Sequence, residues 1–143
     1  QLVCVVDDAE MGVTRVVRGR DIASSTATQV ALQQLLGLPQ LVYRHHFLLL
    51  ESIGEKFAKF HGAIAVPDLR STYSGLELCG LLAHWAGLRE TPSPCTPDEL
   101  IADFAWSRVR NTDLVISVTG TQLSASMRLP DLRTPGPPDL FQQ

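Results

Sequence analysis

Arg18-Gly19-Arg20-Asp21 sets two guanidinium groups and a carboxylate within four residues, between an apolar strand pattern and a helix pattern. An arginine in that place can clasp a carboxylate through two parallel hydrogen bonds, because its planar fork matches the two oxygens. In open α/β sheets ligands bind outside the carboxyl ends of strands, where helix amino termini add amide hydrogens and positive potential. The same four residues also read as a surface turn with a capping aspartate. Lys56 and Lys59, three apart in a loop bounded by Gly54 and Gly62, can close over polyphosphate and neutralise charge that develops in phosphoryl or nucleotidyl transfer. A generic solvated loop is the alternative there. Asp7-Asp8 has the types for metal or acid/base work, but neighbours on a strand point to opposite faces, so a structural strand end is preferred. His45, His46, His61 and His84 show no metal-ligand spacing with the cysteines.

These groups need elements to hold them. Leu2-Val3-Cys4-Val5-Val6 is apolar without alternation and reads as a strand buried on both faces, ended by Asp7-Asp8. Met11-Gly12 makes a turn, and Val13 to Val17 reads as a second strand. A helix over 22–36 follows, with Asp21, Ser24 or Ser25 as its cap; Ile22, Val30, Leu32, Leu35 and Leu36 supply its apolar face, and Gly37 with Pro39 stops it. Leu41 to Leu50 suits a third strand, so that strand, helix and strand form an α/β unit. Ser74-Gly75-Leu76-Glu77 has the spacing of a capping box before a helix with apolar Leu78, Leu81, Leu82 and Trp85. Thr96-Pro97-Asp98-Glu99 repeats that signal and opens a short helix through Trp106. Leu114 to Thr119 is compatible with one weak strand. Residues 111–143 are otherwise expected to be an irregular tail, with Pro130, Pro135, Pro137 and Pro138 near its end.

Composition bounds what this can be. A chain of 143 residues that is 45% hydrophobic and 19% charged is long enough to bury a core and is not a disordered polymer. Its longest apolar run, around Phe47-Leu48-Leu49-Leu50, is far short of the roughly 18–20 residues of a bilayer span, so no membrane association is expected. The net charge of -3 argues against a general nucleic-acid coat. Cys4, Cys79 and Cys95 form no CxxC pair and are odd in number, so neither a zinc site nor a disulfide framework is expected, and a reducing cytoplasm is the default. The chain starts at Gln1 inside an apolar run, which reads as a piece cut from something longer.

Taken in order, several of these segments have a family resemblance. Val5-Val6-Asp7-Asp8, Met11-Gly12-Val13-Thr14, Val17-Arg18-Gly19-Arg20-Asp21, Ser25-Thr26, Gln29, Leu36-Gly37, Tyr43-Arg44-His45-His46 and Gly54 to Ala63 resemble the second half of the catalytic domain of glutamyl-tRNA synthetases. Their short paralogue, glutamyl-queuosine tRNA(Asp) synthetase, resembles it more closely, and Phe104-Ala105-Trp106-Ser107-Arg108-Val109 is similar to the end of that paralogue. The resemblance covers about residues 1–110. It implies an incomplete Rossmann-like half-domain of class I, with a degenerate KMSKS loop within 1–66, a helical subdomain over 67–110 and the tail over 111–143.

The resemblance also implies chemistry. Such enzymes activate glutamate with ATP and magnesium as glutamyl-adenylate, release pyrophosphate and pass the glutamyl group to tRNA. Arg18 would hold the glutamate carboxylate, Cys4 occupies a position where some members contact the amino acid, Asp21 would lie beside the ATP ribose, and Lys56 and Lys59 would be the two lysines of KMSKS. That loop reads Lys56-Phe57-Ala58-Lys59-Phe60 here, so a serine hydroxyl is replaced by alanine and the last, usually basic or polar, position by phenylalanine. The half that carries the HIGH motif has no counterpart in this sequence. The expectation is a chain inactive by itself, part of a glutamate-activating enzyme. The alternative is a non-catalytic half-domain that associates with its own copies or with a complementary chain.

Overall fold

The computed structural model describes residues 1–51 and 66–127. Lys56 and Lys59, with the whole Gly54 to Gly62 loop, lie outside the described residues, as does the proline-rich segment from Arg128. The described chain forms two compact units, one of residues 1–46 and one from Phe47 onward.

In the first unit the opening apolar run is not a strand. It is helix α1, Leu2–Glu10, whose ladder runs from Val5 N–H to Gln1 C=O at 3.1 Å to Met11 N–H to Asp7 C=O at 2.9 Å. A short apolar run without alternation has no period that separates a buried strand from a helix. Here the following Asp7-Asp8-Ala9-Glu10 continues the helix, and Val5 alone is buried on it. Strand β1, Arg15–Gly19, lies two residues later than the sequence pattern places it. A 3₁₀ turn, Arg20–Ile22, leads into helix α2, Ser24–Leu35, and strand β2, Val42–His46, pairs parallel with β1. The β1-α2-β2 order is the expected α/β crossover.

Helix α2 reverses its expected amphipathicity. Its N-cap is Ala23 with no side-chain bond, so Asp21, Ser24 and Ser25 do not cap it. Its buried residues are Thr26, Gln29 and Gln33, whereas Leu35 is 83% exposed and Leu36 and Ile22 are also exposed. Positions 26, 29 and 33 share one face at helical spacing. That polar stripe stays buried because the elements around it supply partners: Gln33 Nε2 donates to the buried Tyr43 hydroxyl at 2.9 Å, and Thr26 and Gln29 accept from Arg18.

In the second unit the apolar run 41–50 divides, and its end forms strand β3, Leu49–Leu50, in a separate sheet. Strand β3 pairs parallel with β4, Leu114–Thr119, which pairs antiparallel with β5, Gln122–Met127. Strand β4 has the bounds of the weak strand expected at Leu114 to Thr119, and β5 replaces the irregular chain expected after it. Thr119 opposes Gln122 across Gly120-Thr121, and Gly120 at φ +63° supplies the left-handed first position that a two-residue turn of this hand needs. Helix α3 is the single turn Val66–Leu69. Helix α4, Gly75–Trp85, starts at the expected capping box, with Ser74 accepting from Glu77 N–H and Glu77 accepting from Ser74 N–H. Helix α5, Pro97–Ile101, has the Thr96/Glu99 box but stops short of Trp106, which opens a 3₁₀ turn instead. Trp85, Leu114 and Ile116 form the core of this unit, with Phe47, Leu49, Leu81, Leu123 and Ala125 packed around them.

Candidate amino-acid site

Strand pairing builds the site. Arg18 near the end of β1 stands opposite His45 of β2 in the parallel register, and Val16 opposes Tyr43 one pleat earlier. All four point to one face, because residues two apart on a strand share a side. Thr26 and Gln29 of α2 complete the cluster.

Three nitrogens of the Arg18 guanidinium are engaged. Nε donates to His45 Nε2 at 3.2 Å, Nη1 to Gln29 Oε1 at 2.8 Å and Nη2 to Thr26 Oγ1 at 2.6 Å. Its Cζ lies 5.0 Å from the Tyr43 ring centroid, a cation–π contact on the remaining face. Gln29 extends the chain by donating from Nε2 to Gln1 Oε1 at 2.7 Å, and Gln1 donates to Ser25 Oγ at 3.1 Å. Every acceptor around Arg18 is neutral, and among the described residues no carboxylate forms an ion pair with it. A guanidinium has five N–H donors. Among the described residues three are used, so two on the terminal nitrogens remain there, with no carboxylate against the positive charge of a half-buried group. That is an arrangement suited to holding an anion.

The proton on His45 follows from the same bonds. Its Nε2 lies 3.2 Å from Arg18 Nε, which can only donate, and 3.0 Å from Thr26 Oγ1. Nε2 must therefore carry a lone pair, Thr26 can donate to it while accepting from Arg18, and the ring proton belongs on Nδ1. Burial and then the positive charges of Arg18, His46 and Arg20 hold the imidazole below its ordinary range, which favours that neutral form.

Of the other expected site residues, Asp21 is exposed in the 3₁₀ turn three residues beyond Arg18. Cys4 is an exposed free thiol on α1 and takes no part in the bonded cluster. Thr26, Gln29 and His45 are site residues that spacing did not point to. Gln29 lies off the apolar face expected of that helix, and the signal available is the polar i, i+3, i+7 series 26, 29 and 33 within it.

A solved glutamate tRNA ligase from Elizabethkingia meningosepticum, in complex with its amino acid, matches this structure with a TM-score of 0.56 at 18% sequence identity. The match covers 77% of this chain and 26% of that one. The fold is thus that of a class I synthetase catalytic domain, present in part. The family of the class I tRNA synthetase (E and Q) catalytic domain matches residues 1–78, and this chain belongs to it. A glutamyl-Q tRNA(Asp) synthetase of Symbiobacterium thermophilum is 43% identical over 110 residues, covering 76% of this chain and 34% of its own length. A second, from Xanthomonas oryzae pv. oryzae, is 47% identical over 111 residues, with 78% and 35% covered. The chain spans about a third of the length of these relatives. No helix among the described residues is long and apolar enough to cross a membrane.

Proposed function

We propose that this chain is the amino-acid-holding part of a glutamyl-queuosine tRNA(Asp) synthetase-like enzyme, in which Arg18 binds a carboxylate of glutamate. The observation that carries this reading is the Arg18 guanidinium, oriented on three sides by neutral acceptors while, among the described residues, two N–H groups and its charge meet no partner. Fixing glutamate there would set its reacting carboxylate against the α-phosphate of ATP, so that positioning rather than covalent chemistry lowers the barrier. Asp21, beyond the end of β1, suits a contact to ribose hydroxyls. Lys56 and Lys59 would neutralise charge as pyrophosphate leaves. Cys4 would lie beside the amino acid without a bond to Arg18. Magnesium, brought with ATP, is commonly held by phosphate oxygens and water. Among the described residues no group of three His, Cys, Asp or Glu gathers that could hold a metal ion by itself. The partners in this reading are glutamate, ATP and tRNA, met in the cytoplasm.

Adenylate formation also needs the phosphate-binding half of the domain, and this chain alone is expected to be inactive. The test is glutamate-dependent ATP–pyrophosphate exchange. The purified 143-residue chain should give none, and exchange above background would refute its dependence on further sequence. Titration with L-glutamate, followed by nuclear magnetic resonance, should shift the Arg18 side-chain signals, and absence of any shift at saturating ligand would sink the amino-acid-holding role.

A second reading, a non-catalytic half-domain working by association, is favoured by one observation. The first unit leaves Val3, Val17, Leu35, Leu36 and Val42 exposed, and its two-stranded sheet has an unpaired edge on each side among the described residues. Sedimentation at micromolar concentration separates the readings: a stable oligomer supports association, and a monodisperse monomer without a partner chain counts against it.

A further inference from the structure

Three neutral side chains surround one cation in the first unit, and they differ in how firmly they can be replaced. Thr26 and Gln29 are buried on α2, at 1% and 5% exposure, and each offers Arg18 a single oxygen. His45 differs from both, since its acceptor exists in only one protonation state. It is set by the β1/β2 register directly opposite Arg18, and its ring is stacked in plane with Tyr43 at 6.5 Å between centroids.

We propose that His45 is the positioning residue for Arg18: its unprotonated Nε2, held in the Nδ1–H tautomer, accepts from Arg18 Nε and Thr26, and so fixes the guanidinium with its two remaining N–H groups available to a carboxylate. This rests on the reading of Arg18 as the carboxylate-binding group, and it adds that the competence of that group depends on the charge of a neighbouring side chain. Protonated His45 would set an N–H donor against the Arg18 Nε–H and a second cation beside the guanidinium, so the Nε bond would be lost and the Thr26 bond would reverse, with Nε2–H donating to Thr26 Oγ1. The charged and titratable groups around the imidazole are Arg18 on β1, Arg20 in the turn after it, and Tyr43 and His46 on its own strand. From α2 it meets the uncharged Thr26. None of these is a carboxylate that could accept the extra proton's charge, so nothing in this set stabilises the protonated state.

The experiment reads the arrangement directly in the full chain. Proton–nitrogen spectra should show His45 as the Nδ1–H tautomer at pH 8, together with a slowly exchanging Arg18 Nε–H signal that disappears as His45 is protonated. His45→Ala should abolish that Nε–H signal, and His45→Gln, whose side-chain oxygen can accept in its place, should restore it. The L-glutamate dissociation constant at pH 8 should rise about tenfold in His45→Ala, the scale of one lost hydrogen bond to a charged group, and return to within about threefold in His45→Gln. An Nε2–H tautomer in the unsubstituted chain, or an Arg18 Nε–H signal unchanged in His45→Ala, overturns the proposal; the tautomer needs no variant and decides it even if His45→Ala fails to fold. If the spectra behave as expected but no form binds glutamate, the positioning arrangement stands and the reading of Arg18 as a glutamate-binding group falls.

Discussion

Arg18 owes its state to partners that lie 8, 11 and 27 residues away in sequence. The bonds from Arg18 account for the burial of Thr26 and Gln29 on α2, and Tyr43 for that of the Gln33 amide nitrogen. Arg18→Lys keeps the charge but has neither the fork nor the cation–π plane, so L-glutamate binding measured by calorimetry should weaken at least about tenfold. Thr26→Val preserves shape but leaves the Arg18 Nη2 N–H without its acceptor, while His45 Nε2 keeps its bond from Arg18 Nε; chemical denaturation should show a loss of about 1–3 kcal/mol. His45 also makes stability depend on pH. Its folded pKa lies below the ordinary value, so as pH falls the unfolded chain takes up the proton first, and stability declines below about pH 6.5. Above that range both states are neutral and His45 contributes no slope. Amide-exchange protection in β1 and β2, corrected for the intrinsic pH dependence of exchange, should therefore fall between pH 7 and 5.5 in the unsubstituted chain, with a smaller change in His45→Gln.

At the scale of elements, a close backbone approach ties α4 to the 93–95 segment in the second unit. A Cβ added at Gly80 on α4 would sit 2.0 Å from the Ser93 carbonyl oxygen, so the helix and the 93–95 segment touch backbone to side. The contact is fastened by Cys95 N–H donating to Leu76 C=O at 3.1 Å, and the Cys79 and Cys95 sulfurs stand 3.8 Å apart. Gly80→Ala must push that backbone away, and a loss of about 1–3 kcal/mol in urea unfolding is expected, more than for Gly75→Ala, which meets open space. The loss of the 41–50 strand to two sheets has a similar cause. Leu48 N–H is taken by Asp113 Oδ1 at 2.7 Å and Leu114 N–H by Leu48 C=O at 3.0 Å, which turns Leu49-Leu50 toward β4 instead of extending β2.

For the whole molecule, the family assignment and the share of its relatives that the chain spans bear on the same question. In the proposed reading the β1-α2-β2 unit carries the amino-acid-facing chemistry, and the phosphate-facing chemistry of the family's HIGH half would come from sequence outside these residues. Exchange activity should be absent from this chain and should appear only when the amino-terminal half of a relative is supplied together with it. Activity from the chain alone in a pyrophosphate-exchange assay would contradict that division. The exposed Val3 and Leu35, at 69% and 83%, mark surface that such a half, or a second copy, could cover.

The sequence by itself determined the family, because ordered motifs such as Val17-Arg18-Gly19-Arg20-Asp21 and Tyr43-Arg44-His45-His46 need no tertiary information to be compared. It also determined the capped helix starts at Ser74 and Thr96, since a capping box is a contact between residues three apart. It singled out Arg18 because an arginine at a strand end is a local feature. Only the tertiary structure decided that Leu2 to Val6 is helical, that α2 turns Thr26, Gln29 and Gln33 inward, and that His45 faces Arg18. Those outcomes depend on partners: a polar helix face is outward in isolation and inward when an arginine and a tyrosine wait to be bonded, and a strand's neighbour is set by register rather than by distance along the chain.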